Sequence, residues 1–162
     1  MNINLTIDEK KLVKHSKDAV IKYNQIRHKN DGMDTLYAFL MSSNDKIYDG
    51  GCFEPNIGHA SVCGERHAIA NMILNESYKA KIKSIVVADP VPEEQVHGTP
   101  PCGTCRHLIW TYGSQNTSVI LMQYIQKKNG WIFPKIEKYK AKDFYPLPYK
   151  PKEGLWDNWK PE

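Results

Sequence analysis

KSIVVAD, residues 83–89, and SVILMQYIQ, residues 118–126, are the stretches whose reading decides the fold. The first is short and nearly continuously apolar, the pattern of a strand covered on both faces rather than one half in water. The second reads as another strand. Between them lie the loop PVPEEQVHGTP, residues 90–100, and a segment of helical composition over residues 102–113. Strand, helix, strand in that order predicts strands of a layered α/β protein linked through a helix.

Outward from this unit the remaining elements follow from local signals. Thr6 with Glu9 has the form of a capping box, and Leu12, Val13, Ser16, Ala19, Val20, Tyr23 and Ile26 recur at steps of three and four, predicting an amphipathic helix over residues 7–28. TLYAFLMS, residues 35–42, and KIYDGGCF, residues 46–53, are rich in β-formers and meet at the turn-forming SNDK, so they read as a hairpin. Residues 61–78 have helical composition and carry Ala68, Met72 and Ile73 on one side. Beyond Gly130, WIFPKIEKYK adds one more strand, and the proline-broken DFYPLPYKPK wraps over the surface. No internal repeat or long linker interrupts the chain, so residues 1–162 are expected to form one domain.

Composition narrows the class. A domain of 162 residues buries roughly two thirds of its unfolded surface. Hydrophobic residues make up 41% and charged residues 25%, near the globular average, and no segment approaches the roughly 18 uninterrupted apolar residues of a membrane span. MNINLTIDEK lacks the basic start and apolar stretch of a secretory signal, so a cytoplasmic protein with reduced thiols is expected. The net charge of +4 sits in a lysine-rich C-terminal third without interleaved aromatics and arginines. That reads as a solvated basic surface and argues against a nucleic-acid partner.

The four cysteines then need a use. CGER at residues 63–66 and PCGTC at residues 101–105 each open a predicted helix. In a CxxC at a helix start, both sulfurs and the free first-turn amides point toward one spot, and those amides favour thiolate over thiol. Cys63 adds a third sulfur from another helix tip. Three ligands leave a tetrahedral zinc one open position, the mark of a catalytic rather than a structural site. Glu65, two residues after Cys63, is placed to reach a water at that position without competing for the ion. Hydrolysing an aminopyrimidine needs hydroxide at the amine-bearing carbon and protons at the ring nitrogen and the leaving amine, and one mobile carboxylate can serve all three. This is the layout of zinc deaminases: a Cys or His, one residue, a Glu, and later P-C-x-x-C. Three thiolates leave a divalent zinc site formally anionic, so Arg66 is expected to donate hydrogen bonds to the sulfurs, with His67 as a helper. Otherwise Arg66 is an exposed helix residue in a surface ion pair. Other arrangements use the same cysteines: a redox CxxC, disfavoured by Pro100 and Pro101 before Cys102; a closed structural zinc site completed by Cys52; or ordinary buried thiols.

At these residues the sequence resembles the cytidine deaminases, in their short, all-cysteine, homotetrameric type. CGERHAI is similar to that family's CAERTAI, and PPCGTCRHLIW to its PCGACRQ. AFLMSSNDKIYDGGCFE is similar to the family hairpin that leads into the substrate loop, and KNGWIFPKIEKYKAKDFYPLPY to its closing LLPxxF segment, with Pro146 and Tyr149 at the proline and final aromatic. The resemblance implies a three-layer α/β/α sandwich around a mixed β-sheet. It also implies Zn2+ held by Cys63, Cys102 and Cys105, Glu65 as proton shuttle, Arg66 supporting the thiolates, and a homotetramer whose neighbouring loops complete each pocket. In the family's NxEN loop an Asn and a Glu hydrogen-bond the ribose. Glu54 falls on the Glu position, Cys52 occupies the Asn position, and Asn56 is the substitute that the loop offers. The family's F-P-V-G segment is replaced by DTLYA. The implied reaction is hydrolytic deamination of cytidine or deoxycytidine. Blasticidin S or another aminopyrimidine nucleoside is the alternative substrate, and a non-catalytic zinc-stabilised binding module the alternative of another class.

Overall fold

The computed structural model describes residues 3–54, 60–92 and 95–147. Helix α1 (Ile7–His28) starts at the predicted capping box: Thr6 N–H donates to Glu9 Oε2 at 2.8 Å, and Glu9 N–H to Thr6 Oγ1 at 3.2 Å. It buries Leu12, Val13, Ser16, Ala19 and Val20, as the periodicity predicts. Ile26 departs from the pattern and is 51% exposed, while Asn24 is fully buried in its place. The apolar stripe drifts around a straight helix over several turns, and here Asn24 accepts the buried Tyr37 hydroxyl at 2.8 Å.

Strands β1 (Tyr37–Ser42) and β2 (Ile47–Gly51) form the expected antiparallel hairpin. Helix α2 (Gly64–Glu76) is shorter than the predicted span, with Cys63 as its N-cap. Val62 is drawn into an isolated bridge with Phe53 instead. Strand β3 (Ile82–Pro90) runs antiparallel to β1 and parallel to β4 (Ser118–Lys127), and helix α3 (Gly103–Tyr112) makes the crossover between the parallel pair. The single strand expected beyond Gly130 is two: β5 (Gly130–Ile132) and β6 (Ile136–Lys140), each antiparallel to β4. Pro134 sits between them, and its missing N–H cannot continue a ladder. A single helical turn, α4 (Ala141–Phe144), completes the described elements. Pro146 is described, whereas Tyr149 lies outside the described residues.

The result is the expected three-layer α/β/α sandwich around a mixed sheet, in the order β2-β1-β3-β4-β5 with β6 also on β4. Alternation along the strands splits the core in two. Phe39, Met41, Val86, Ala88, Ile120, Met122 and Tyr124 pack under α1 with Leu12 and Val20. Ala38, Leu40, Ile85, Val87, Val119 and Leu121 pack with Ala68, Ile69 and Met72 of α2 and Ile109 of α3. Each large apolar side chain so buried contributes about 1.5–3 kcal/mol, which is why the middles of the central strands are apolar. Among the described residues no helix is long and apolar enough to cross a membrane.

One contact seats the helix that matters most. A side chain on Gly50 of β2 would collide with the Gly64 carbonyl oxygen and the Ala68 amide of α2. Only glycine lets the backbone of α2 lie against the strand, and that closeness fixes where the tip of α2 points.

Candidate metal centre

The tips of α2 and α3 meet. Cys63 caps α2 and Cys102 caps α3, both in extended conformation, and neither thiol is used in a side-chain cap. Cys105 lies in the first turn of α3 and is buried. The Cys63 and Cys102 sulfurs are 3.7 Å apart and those of Cys102 and Cys105 3.2 Å, and all three fall within 4.8 Å of one another. Two free helix N-termini therefore face one cluster of soft ligands.

Burial opposes ionising these thiols, and it acts unequally. At Cys63 burial and then the Cys102 thiol push the pKa up, and at Cys105 burial pushes it up strongly. At Cys102 burial is outweighed by the Cys105 amide and by hydrogen bonds from the two neighbouring thiols, so its pKa falls below the ordinary cysteine value. The three thiols thus differ in how readily they ionise. A divalent cation is the charge that would let all three ionise.

Glu65 sits behind this cluster and is 2% exposed. Its Oε2 has no hydrogen-bond partner among the described residues. Burial raises its pKa, and the Asp89 carboxylate raises it further, against lowering by its own amide, Cys105 and Arg66. A buried carboxyl that holds its proton unusually well and keeps one oxygen uncommitted is equipped to accept and return a proton.

Among solved structures, the chain is similar to the cytidine deaminase from Burkholderia pseudomallei, with 20% identity and a TM-score of 0.59 over 82% of this chain and 98% of that one. Its fold is the cytidine deaminase fold. The cytidine deaminase from Bacillus anthracis (14% identity, TM-score 0.55, 89% of this chain and 90% of that) and that from Mycobacterium tuberculosis (14%, 0.52, 72% and 80%) are similar too. No family model matches the sequence, and no curated protein matches it.

Within this cytidine deaminase fold, the candidate residues named from sequence divide into three groups. Cys63, Cys102, Cys105 and Glu65 come together. Arg66 lies beside them but is aimed elsewhere: its Nη2 donates to the Ser61 carbonyl oxygen at 2.6 Å, and no bond to a cysteine sulfur is present among the described residues. The guanidinium satisfies the backbone leading into Cys63, and its Nε is buried without a partner among the described residues. His67 likewise binds backbone, with Nδ1 at 2.5 Å from the Gly51 carbonyl oxygen. Glu54 is exposed and accepts the Cys52 thiol at 3.4 Å, and Asn56 lies outside the described residues. Cys52 is not among the converging sulfurs.

Sequence reading missed Asp89, Thr99 and Arg106. Arg106 donates from Nε to the Pro101 carbonyl oxygen at 2.7 Å and from Nη1 to that of Phe144 at 3.3 Å, tying the start of α3 to α4. Its place directly after Cys105 was the available signal. Asp89 ends the apolar run of β3 as its only acidic residue, and a carboxylate at the end of a buried strand beside a crossover was a signal too. A groove of about 960 Å³ walled by Ile136, Tyr139 and Lys138 contains none of these residues.

Proposed function

We propose that the protein is a zinc-dependent hydrolytic deaminase that converts cytidine or deoxycytidine to the uridine product, consuming water and releasing ammonia. The observation that carries this reading is three converging sulfurs, from two helix tips, beside the buried and uncommitted carboxyl of Glu65. Zinc bound by three thiolates at about 2.3 Å in tetrahedral geometry sets sulfurs about 3.8 Å apart. The Cys63–Cys102 separation of 3.7 Å matches that spacing, and the Cys102–Cys105 pair at 3.2 Å would open by about 0.6 Å to take the ion. Cys63, Cys102 and Cys105 would hold it, and Cys52 is not among the converging sulfurs, so a fourth position would be free for water or substrate.

When bound, zinc supplies a Lewis acid that lowers the pKa of water to near neutrality. Glu65 does the proton work: its carboxylate takes one proton from the attacking water and delivers it to the ring nitrogen, then takes the second from the hydroxyl now on the amine-bearing carbon and gives it to the amine, so that ammonia leaves as the carbonyl forms. Its raised pKa suits both directions of transfer. Arg66 supports the site through the Ser61 carbonyl, holding the backbone that enters Cys63. Glu54 and Asn56 are the proposed contacts to the sugar. A single domain, a cytoplasmic location and a homotetramer whose neighbours complete each pocket belong to the same reading.

One observation favours a second substrate. Beside Glu54 stands the Cys52 thiol and not an amide, which weakens recognition of an unmodified ribose and favours a modified nucleoside such as blasticidin S. Ammonia release and loss of the aminopyrimidine absorbance, measured on zinc-loaded protein with cytidine, deoxycytidine and blasticidin S, decide the matter. Turnover of any of them supports a deaminase and ranks the substrates. No turnover by protein that binds zinc stoichiometrically would instead leave the binding module standing.

A further inference from the structure

The segment that delivers Cys102 and Cys105 to the centre is an irregular arm, residues 95–101, laid across the middle of β4 and the end of β3. Its holds are specific. The Gln123 side chain donates to the Gln95 carbonyl oxygen at 3.0 Å, and the Gly98 amide to Glu137 Oε2 at 3.0 Å. A Cβ on Gly98 would strike the Leu121 side chain, so the arm lies directly on β4. Nearest the cysteines, the Thr99 hydroxyl donates to Asp89 Oδ2 on β3.

This last hold differs from the others because of its stiff link to the metal ligands. Between Thr99 and Cys102 stand only Pro100 and Pro101. Each proline fixes its own φ, and each restricts the residue before it, so Thr99, Pro100 and Pro101 form a strut. A shift at Thr99 cannot be absorbed before Cys102 and is carried to its sulfur. Arg106 then grips the far end of the strut at the Pro101 carbonyl. Asp89 itself is half-buried, close enough for its charge to act on Glu65, and takes no part in the proton transfers described above.

We propose that Asp89 is a positioning residue for the metal centre: by accepting the Thr99 hydroxyl it fixes the proline strut so that Cys102 and Cys105 arrive opposite Cys63. The inference rests on metal binding by the three cysteines, and its test keeps the two claims apart. Zinc affinity is measured by chelator competition on the full chain, and the ligand field is read from the thiolate-to-cobalt charge-transfer and tetrahedral bands of the cobalt-loaded protein. Wild-type protein that binds neither ion removes the metal site, and the inference with it.

Given wild-type binding, Thr99→Val and Asp89→Ala are expected to weaken zinc by roughly ten- to a hundredfold, the usual cost of losing a group that orients a metal ligand, and to distort the cobalt bands. Thr99→Ser and Asp89→Asn, which keep the donor and an acceptor, are expected to stay close to wild type in both. Comparing these pairs separates the bond from general loss of fold, since Val replaces Thr almost isosterically. Unchanged affinity and cobalt spectra in Thr99→Val and Asp89→Ala would overturn the proposal. So would an equal loss in Asp89→Asn and Asp89→Ala, because the carboxylate charge and not the hydrogen bond would then be responsible.

Discussion

Gly50 on β2 and Gly64 at the start of α2 lie backbone against backbone, with no room for a side chain on Gly50. Gly64 comes directly after Cys63, so the depth to which α2 settles on the strand sets the position of the first metal ligand. Gly50→Ala forces α2 outward. We expect a loss of about 1–3 kcal/mol in stability, typical of overpacking, together with weakened zinc binding. Thermal melts with and without zinc check this. A variant that melts and binds like wild type would show that the strand yields and that the seat does not set the site.

The four cysteines are expected to behave unequally. Cys63→Ser, Cys102→Ser and Cys105→Ser each lose tight zinc binding, whereas Cys52→Ser keeps it, because the Cys52 sulfur stands outside the cluster and bonds Glu54. Zinc affinity of the wild-type protein rises with pH as Cys63 and Cys105, whose thiols are held above the ordinary value, shed their protons. Metal content after dialysis at several pH values reads both effects. Zinc loss in Cys52→Ser would instead point to a closed four-sulfur site.

Glu65→Ala removes the proton carrier and leaves the sulfurs untouched. Turnover is expected to fall by roughly 100- to 10,000-fold with bound zinc unchanged. A variant that still deaminates at the wild-type rate would assign the proton transfers to another group.

Glu76 gives a prediction on stability alone. At the end of α2 it accepts Ser42 Oγ and Tyr48 Oη on one oxygen, at 2.6 and 2.8 Å, and Asn44 Nδ2 on the other at 2.6 Å, tying the helix to the β1–β2 hairpin. The Ser42 bond first, then those from Tyr48 and Asn44, hold its pKa below the ordinary glutamate value. A depressed pKa contributes stability that is present above the unfolded-state pKa and lost as pH falls through the folded one. Glu76→Gln is therefore expected to be less stable than wild type near neutral pH, by roughly 1 kcal/mol after solvent screening, with the gap closing as pH falls through the carboxylate range. Denaturant titrations at neutral and acidic pH measure it, and a gap independent of pH would rule out the charge as its origin.

Much of this molecule was legible in the chain because its signals are local. The capping box of α1 needs only Thr6 and Glu9, and the burial of β3 and β4 on both faces follows from their apolar runs. Cysteine placement at two helix starts with Glu65 two residues beyond the first was equally plain. Elsewhere local pattern was overruled. Ile26 repeats at helical spacing yet is exposed, because Asn24 takes the inward place against Tyr37. Arg66 had a cysteine near it in sequence, but the acceptor it meets in space is the Ser61 carbonyl.

By itself, the sequence determined the element types, the layered α/β class and the residue kinds from which a metal centre is made, since these depend on propensity, periodicity and spacing within a few turns. Tertiary structure alone decided which sulfurs meet and what holds them. Cys63 and Cys102 are separated by 39 residues and arrive 3.7 Å apart only through the register of β3 on β4, the glycine seat under α2 and the Asp89 anchor on the arm. Those are contacts through space, and no stretch of neighbouring residues carries them.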